Sequence, residues 1–360
     1  MFSNFLPLHL NWYSLRMKKL TICFLLVGAT CFSYGQFPFI KDGVWGYMDS
    51  TGKEIIPPQF KQAGFFYEGL AYVQIGEALG YIDATGKEVI KAQYPAAYNF
   101  NEGYASVMED EDWGMVNTKG EMVVEASYAS PLMFHNGLAR FKQERGLFST
   151  YGFIGTNGDT LIYPVFEKAS EFSDGLCMAS KDGYTYGYIN TKGEWVIEPT
   201  FEIGASIKMG GEYDFSDKNF SGGYVAVSKD NKYGVMDKTG KLVLDYSLAF
   251  IGKFSEGLAP AKKDSLFGYI DIKGNWIVNP KYNGAEAFNS GLAAVSKGPF
   301  LEEKWGFINH KGQEVIPLTI YANYTFMAPM KFWDGLVPCY IEKNVFGYMD
   351  RTGKVVWKMN

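Results

Sequence analysis

The sequence feature that most limits how this chain can fold is a short segment that recurs nine times. Each copy is marked by a glycine that follows an aromatic residue in all copies but one, and successive glycines are 34, 34, 38, 35, 47, 34, 38 and 41 residues apart. These glycines are Gly46, Gly80, Gly114, Gly152, Gly187, Gly234, Gly268, Gly306 and Gly347. A period of this size predicts small supersecondary units that bury their faces against one another.

A second landmark recurs with the first. It reads Phe-x-x-Gly before an apolar pair, and in six of eight copies its glycine follows the first glycine by 23 residues. The second glycines are Gly69, Gly103, Gly137, Gly175, Gly223, Gly257, Gly291 and Gly335. This constant spacing indicates that both landmarks belong to one structural unit.

A polar tetrad follows each first glycine and predicts a hairpin turn. In copy one, short runs of aromatic and β-branched residues flank the turn 49–52, the pattern of two paired strands. The tetrad opens on Asp49, Asp83, Asn117, Gly155, Asn190, Asp237, Asp271, Asn309 or Asp350 and ends on Gly52, Gly86, Gly120, Gly158, Gly193, Gly240, Gly274, Gly312 or Gly353. A side-chain oxygen at the first position can accept turn N–H groups, and glycine closes the loop in the left-handed conformation.

Each copy is predicted to contain three strands. The strand after the second landmark runs directly into the next aromatic-Gly strand, so the unit reads third strand, first strand, second strand. A lone glycine inside a strand predicts close backbone approach, with the neighbouring aromatic covering the gap. A proline is expected to end the second strand by removing a donor, at Pro57, Pro164, Pro199, Pro280 and Pro317.

These patterns predict an all-β chain of nine three-stranded antiparallel meanders over residues 36–360. The favoured arrangement is an open, twisted or superhelical array, because copies of unequal length disturb such an array little if the extra residues loop outward. The alternative is a closed β-propeller-like toroid, in which the aromatic link before each third strand forms a fourth edge element.

The N-terminal residues read as a targeting signal rather than as fold. Two lysines after Met17, an apolar run from Leu20 to Phe32 and the small residues before Gln36 predict a signal peptide over 17–35. Residues 1–16 are interpreted as a start assigned too far upstream. Thr30 before Cys31 does not fit a lipoprotein signal. The mature protein is therefore expected in the periplasm, at the cell surface or secreted, with no transmembrane segment.

Composition excludes several classes of function. Removing residues 1–35 leaves 31 basic and 39 acidic side chains, a net charge of −8, so a nucleic-acid partner is not expected. The two remaining cysteines, Cys177 and Cys339, are expected to be buried and unpaired. His135 and His310 are expected at the surface.

No catalytic, metal or cofactor constellation is present in the sequence. The Asp-x-x-Gly turns lack the multiple oxygen ligands of calcium loops, and nucleophile-elbow, phosphate-loop and zinc-ligand spacings are not found. Copy five carries the longest insertion, at 204–219, which is interpreted either as a tolerated surface insertion or, by hypothesis, as a loop that contributes to a ligand-binding site. Its candidate residues are Glu212, Tyr213, Asp214, Phe215 and Asp217. Shorter insertions at 298–304 and 318–331 are secondary candidates.

The copies resemble the WG-repeat family of bacterial β-repeat proteins, named for a Trp-Gly pair. The resemblance rests on Trp45-Gly46-Tyr47-Met48-Asp49, on Trp113-Gly114 and on Trp305-Gly306-Phe307-Ile308-Asn309. Membership implies a repeat scaffold and no assigned reaction. The favoured function is an exported scaffold that binds a protein or glycan at the cell envelope. The alternatives are an envelope hydrolase on a propeller-like frame and a purely architectural envelope protein.

Overall fold

The computed structural model describes residues 35–145, 148–202, 206–207, 213–214, 218–299, 302–321 and 330–359. Of these residues 63% lie in β-strands, and none lies in an α-helix. Accordingly, no described helix has the length and apolar character that a membrane crossing requires. The predicted signal peptide lies outside the described residues, apart from Gly35.

Nine antiparallel meanders follow one another along the chain, which confirms the predicted all-β tandem repeat. Copies one to three are β1 Gln36–Lys41, β2 Val44–Asp49, β3 Glu54–Phe60, β4 Leu70–Ile75, β5 Ala78–Asp83, β6 Glu88–Tyr94, β7 Tyr104–Glu109, β8 Asp112–Asn117 and β9 Met122–Tyr128. Copies four and five are β10 Phe134–His135, β11 Leu138–Arg145, β12 Phe148–Gly155, β13 Thr160–Phe166, β14 Lys168–Ala169, β15 Leu176–Ser180, β16 Thr185–Asn190 and β17 Trp195–Glu202.

The remaining copies repeat this order. Between copies five and six lie the paired segments β18 Ser206–Ile207 and β19 Tyr213–Asp214. Copies six and seven are β20 Tyr224–Lys229, β21 Lys232–Asp237, β22 Leu242–Leu248, β23 Phe250–Ile251, β24 Ala259–Lys263, β25 Leu266–Ile270 and β26 Trp276–Tyr282. Copies eight and nine are β27 Gly284–Ala285, β28 Ala293–Lys297, β29 Lys304–Ile308, β30 Glu314–Tyr321, β31 Leu336–Glu342, β32 Val345–Asp350 and β33 Val355–Lys358.

The link before each third strand forms a fourth edge element. In copy two, Ala63 bridges to Val73, and Gly64 N donates to Tyr72 O at 2.9 Å. The short strands β14, β23 and β27 occupy the same place in copies five, seven and eight. The sheets of copies two, three, five, seven and eight therefore run from link to third, first and second strand, the arrangement expected for the propeller alternative.

The repeated glycine sits where two strands come too close for a side chain. Trp45 pairs with Phe60, and Tyr47 pairs with Ile56. Between these two pairs β2 has one residue, Gly46, whereas β3 has three, which form a bulge. A Cβ atom on Gly46 would lie 2.5 Å from Ile56 O. All nine repeat glycines have a second-strand backbone atom within 2.7 Å of that position, which confirms the predicted close approach.

The predicted role of proline in ending the second strand is wrong. Pro57 and Pro164 lie inside β3 and β13, and Pro199, Pro280 and Pro317 lie inside β17, β26 and β30. They occupy the bulge opposite the repeat glycine. Proline is tolerated there because the second strand is a sheet edge, where a missing N–H breaks no ladder; in copy eight, β30 pairs with β31 only at Tyr321, away from Pro317.

Neighbouring sheets pack through aromatic and branched side chains. Tyr47 of copy one lies 4.8 Å from Phe66 of copy two between ring centroids, and its hydroxyl donates to Gly64 O at 2.9 Å. The same aromatic contact, at 4.8–4.9 Å, joins Tyr81 to Phe100, Phe153 to Phe172, Tyr188 to Phe220, Tyr269 to Phe288 and Phe307 to Phe332. The burial of these faces explains the high aromatic content without a cofactor.

Copy nine packs against copy one, so the sheets form a closed, propeller-like ring. The Tyr348 hydroxyl donates to Pro38 O at 2.9 Å, and the Tyr348 ring lies 5.5 Å from that of Phe37. A Cβ on Gly52 would lie 2.9 Å from Val356 O. The favoured open array is thus replaced by the closed alternative, because both end copies expose apolar faces that cover each other. We call this boundary the seam.

The link elements lie on the inner circumference of the ring. Phe65 and Tyr67 of copy two contact Trp333 of copy nine, with centroids 6.1 and 5.3 Å apart, although copy one lies between these copies. Copies that are not neighbours can touch only where the circumference is smallest. The second strands therefore lie on the outside, which agrees with the exposure of alternate side chains along them.

Candidate functional site

The hairpin turns use their carboxylates for structure. Asp49 Oδ1 accepts from Thr51 N at 2.8 Å, from the Thr51 hydroxyl at 2.6 Å and from Lys53 N at 3.0 Å. The Thr51 hydroxyl is the main reason that the pKa of Asp49 is lowered. The turns of Asp83, Asp237 and Asp350 repeat these bonds. One oxygen of each of these carboxylates therefore holds its turn, which is the structural role predicted for these residues.

Turns that open on asparagine use a different set of partners. Asn117 Oδ1 accepts from Lys119 N and Glu121 N, while Nδ2 donates to Glu121 Oε2 at 2.7 Å. Asn190 and Glu194 form the same pair at 2.9 Å. In four turns Asp is therefore combined with threonine and lysine, whereas Asp271 is combined with Lys273 and Asn275, and Asn is combined with lysine and an acid or amide. In each combination, the side chains at the first and fifth turn positions face each other, and one is a hydrogen-bond donor and the other an acceptor.

Changing Asn117 to Asp is expected to lower the free energy of unfolding by about 0.5–1 kcal/mol, because two carboxylates then face each other. Adding Glu121→Lys recreates the combination of Asp49 and Lys53 and is expected to restore stability. Urea denaturation of both variants measures the difference. Equal destabilisation in the single and the double variant would contradict this account.

A second set of polar side chains joins neighbouring copies at the Phe-x-x-Gly turns. At five of these turns the residue before the turn glycine has a positive φ, and its side chain accepts the N–H of the next copy's turn glycine. These bonds run from Gly103 to Glu68 (2.7 Å), Gly137 to Glu102 (2.8 Å), Gly175 to Asn136 (2.9 Å), Gly223 to Asp174 (2.7 Å) and Gly291 to Glu256 (3.0 Å). We call this series the turn ladder.

The histidines and cysteines form no reactive group in the described part of the chain. His310 is partly exposed, but it stacks on Phe288 at 4.4 Å and its Nε2 lies 2.9 Å from Glu256 Oε2, a partner that the sequence did not reveal. Cys177 and Cys339 are buried and unpaired, and burial raises the pKa of each thiol to about 12. No cluster of three or more metal-ligating side chains occurs within the described residues.

The predicted copy-five loop remains a prediction. Glu212, Phe215 and Asp217 lie outside the described residues. Only the backbone of Tyr213 and Asp214 is described. It forms a two-residue strand that pairs antiparallel with Ser206–Ile207. The secondary candidate at 318–331 proves to begin inside β30, so its first four residues belong to the sheet.

The outer edge of copy four carries an unusual apolar surface. On β13 the side chains of Leu161, Tyr163 and Val165 point outward and are 56, 73 and 50% exposed. We call these three residues the copy-four surface. Ile162 and Phe166 are buried, so buried and exposed side chains alternate along β13, as they do in a strand with one face on the core. Here, however, the outward positions are apolar as well.

Other copies hold polar residues or proline at the second and third of these outward positions. The second position is Pro57, Lys91, Glu125, Glu198, Asp245, Asn279 or Pro317, and the third is Gln59, Gln93, Ser127, Thr200, Ser247, Lys281 or Thr319. The first position is aliphatic in every copy and belongs to the scaffold. Tyr163 and Val165 are thus specific to copy four.

Copy four differs from the other copies in two further ways. Its strands β11 and β12 each have eight residues, whereas β7 and β8 of copy three have six. Its hairpin turn has no lysine and is instead built on Asn157 and Asp159. Scaffold residues recur and binding residues need not, so these departures single out copy four.

An exposed tyrosine follows in copy five. Tyr184 is 80% exposed and sits in the turn between β15 and β16. Asp182 fixes this turn, because its Oδ1 accepts from Tyr184 N at 2.9 Å and from Thr185 N at 2.8 Å. The pKa of Asp182 is lowered, mainly by the Thr185 hydroxyl. The turn presents an aromatic ring on a rigid backbone.

Sequence reasoning missed the copy-four surface because it compared only the lengths of the copies. The signal was present, since Leu161, Tyr163 and Val165 alternate with Ile162 and Pro164 in a run that lacks polar residues. Aligning second strands on the repeat glycine would have shown that only copy four is apolar at the last two outward positions.

The repeat pattern and the ring can be compared with known proteins. The family model described as WG containing repeat matches nine segments, at residues 45–77, 80–111, 113–146, 151–184, 186–203, 211–233, 233–266, 267–298 and 305–324. No curated protein matches the sequence.

Solved structures that resemble the ring are propeller-like folds. A structure described as the eukaryotic initiation factor has a TM-score of 0.52 and 12% identity, and the alignment covers 90% of this chain and 95% of that one. BamB from Moraxella catarrhalis has a TM-score of 0.37 and 13% identity, with 90% and 98% covered. Porphyromonas gingivalis dipeptidyl peptidase 4 has a TM-score of 0.43 and 8% identity, with 78% and 57% covered. At such identities the likeness concerns the fold alone.

Proposed function

The chain belongs to the family of proteins with the WG containing repeat, and from this membership we propose that it is an exported scaffold that binds a protein partner at the cell envelope. The signal peptide predicted over 17–35 supports export to the periplasm, the cell surface or the medium. The proposal of a binding role rests on the exposed apolar side chains of the copy-four surface. Exposed large apolar side chains grouped on one element mark interaction sites more often than singly scattered ones do.

The chemistry of this surface favours a protein over a glycan. Leu161 and Val165 flank Tyr163 on the same face of β13, and aliphatic side chains beside an aromatic ring suit the apolar centre of a protein interface. A sugar would need polar groups for its hydroxyls beside the ring. Pro164 and the β13 bulge oppose the addition of a partner strand along this edge, so contact is made through side chains.

Converting copy four to the copy-five sequence tests this proposal. Tyr163→Glu with Val165→Thr introduces the residues that copy five holds as Glu198 and Thr200, so the sheet is expected to fold normally. Capture of a defined partner from envelope fractions, with the mature protein as bait, is expected to fall more than tenfold, which corresponds to removing one aromatic hot spot.

The matched control changes the same outward positions of copy five, as Glu198→Lys with Thr200→Ser, and is expected to retain capture. Loss of capture in both variants, or in neither, contradicts a site in copy four. Loss of binding to an isolated glycan in the copy-four variant alone identifies a glycan partner instead. A chain that captures nothing in its unaltered form supports the architectural alternative.

The predicted loop of copy five is tested in the same assay. Deleting residues 208–217, which include Glu212 and Asp217, leaves the meanders of copies five and six intact in sequence. If the loop contributes to the partner site, capture decreases in this variant as well. Unchanged capture by a folded deletion variant would exclude this role.

No observation favours the hydrolase alternative. Its signature would be carboxylates from several copies that converge on a pocket. In the described residues, the carboxylates that recur around the ring are those of the hairpin turns and the turn ladder, and each of these accepts backbone N–H groups. They are occupied in holding the ring together.

A further inference from the structure

The turn ladder extends to the seam between copies nine and one. Asp334 precedes the turn glycine of copy nine and has the positive φ, 43°, that the other ladder acceptors share. Its neighbour across the seam is Gly35, which has a φ of 64°. A Cβ on Gly35 would lie 3.2 Å from Asp334 Oδ2. Gly35 therefore occupies the same turn position as Gly103 and lies beside the side chain of Asp334, as Gly103 lies beside Glu68.

The predicted signal peptide ends at this residue. On the premise of export made above, we infer that cleavage between Gly35 and Gln36 creates an α-ammonium group that pairs with Asp334 and fastens the seam. A signal peptidase hydrolyses the peptide bond with one water molecule. The carbonyl carbon of Gly35 leaves as a carboxylate, and the nitrogen of Gln36 becomes the new amino terminus, protonated at neutral pH.

Gln36 is held in place, so the new terminus does not drift from the seam. Its residue surface is 7% exposed, and its Nε2 donates to Ala84 O of copy two at 2.8 Å. In the sheet it pairs with Asp49, whose carboxylate is engaged in its own turn. Before cleavage, the Gln36 nitrogen is two covalent bonds away from the Gly35 Cα. The new ammonium group therefore forms within reach of the exposed Asp334 side chain.

A charged terminus makes a stronger contact than the N–H that cleavage removes. Hydrogen bonds between ammonium and carboxylate groups are roughly twice as strong as neutral ones. The other ladder contacts use a neutral backbone N–H. Processing would thus replace the seam's neutral donor with a charged one, at the only boundary of the ring that no peptide bond spans.

The test compares full-length mature chains with different termini. The chain that begins at Gln36 is prepared with a free amino group and with an acetylated one, each in the native form and as Asp334→Asn. Acetylation is expected to lower the unfolding temperature of the native form by about 1–3 °C and to leave Asp334→Asn unchanged. The difference should shrink in 1 M salt, where screening is strong.

Equal unfolding temperatures for the free and acetylated native chains would overturn the inference, as would an equal acetylation effect in Asp334→Asn. The intact mass of the exported protein decides the processing step. A first residue other than Gln36, or loss of ammonia through cyclisation of Gln36, removes the ammonium and also overturns it. Partner capture through the copy-four surface is measured separately, so the two proposals can fail independently.

Discussion

Replacing Gly114 with alanine is expected to lower the free energy of unfolding by about 3 kcal/mol or more, enough to leave copy three poorly folded. The new Cβ would lie 2.6 Å from Val124 O and 2.8 Å from Ala126 N, both backbone atoms that cannot move without breaking the β8–β9 pairing. Guanidinium denaturation followed by tryptophan fluorescence measures the loss, since Trp113 is the adjacent buried residue.

Gly103→Ala is the matched control in the same copy. Gly103 has a φ of 85°, but nothing lies within 4 Å of its Cβ position. In this variant the only penalty is the left-handed conformation of the new alanine, which is expected to lower the free energy of unfolding by about 1–2 kcal/mol. If Gly114→Ala is no more destabilising than Gly103→Ala, close approach is not the reason for the repeated glycine.

Deleting copy nine, residues 322–360, is expected to abolish cooperative folding of the whole chain. In a linear array, loss of an end copy removes one interface. In this ring it uncovers two faces, because Tyr348 and Leu336 pack on copy one and Val337 lies in a core with Ile316 of copy eight. Removing one buried aromatic side chain costs about 3–5 kcal/mol, so the loss of a few of them is comparable with the 5–15 kcal/mol typical of whole domains.

Circular dichroism and size-exclusion chromatography of the deletion variant measure this effect. The control is a circular permutant in which a short flexible linker joins Met359 to Gln36 and new termini open at the exposed Asp42–Gly43 turn. The permutant keeps all nine copies and is expected to unfold within a few degrees of the native chain. A deletion variant as stable as the native chain would show that closure contributes little.

The repeat itself was predictable because its residues act locally. Asp49 and Gly52 specify a turn with their own side-chain and backbone geometry, and Gly46 is required by a bulge in the next strand of the same copy. The order of third, first and second strand followed from the short connection between Ile40 and Trp45. None of these features depends on how distant copies are arranged.

Closure was not predictable because it depends on the summed rotation between copies. A small change at each boundary decides whether copy nine meets copy one, and no single residue encodes that sum. Tyr348 and Phe37 occupy ordinary repeat positions, so their contact leaves no mark of its own in the sequence. The proline prediction failed for a related reason, since Pro164 is read as a strand end unless the bulge opposite Gly152 is known.

The copy-four surface shows a different limit. Tyr163 and Val165 could have been found by comparing copies position by position, but only burial distinguishes them from Tyr151 or Phe153 on the neighbouring strand. Apolar residues in a repeat are normally core. Their outward orientation becomes certain once the pairing of β12 with β13 fixes which side of the sheet each residue faces.

Each sheet of the ring is built from consecutive residues, and the Tyr348–Pro38 bond, which spans 310 positions, belongs to the sole boundary formed by distant parts of the chain. Contacts between near residues form quickly, whereas those that close long loops form slowly. A polypeptide that emerges from its N-terminus during synthesis can therefore form its sheets one after another. Joining the two ends is left as the final event, after the last strand has been released.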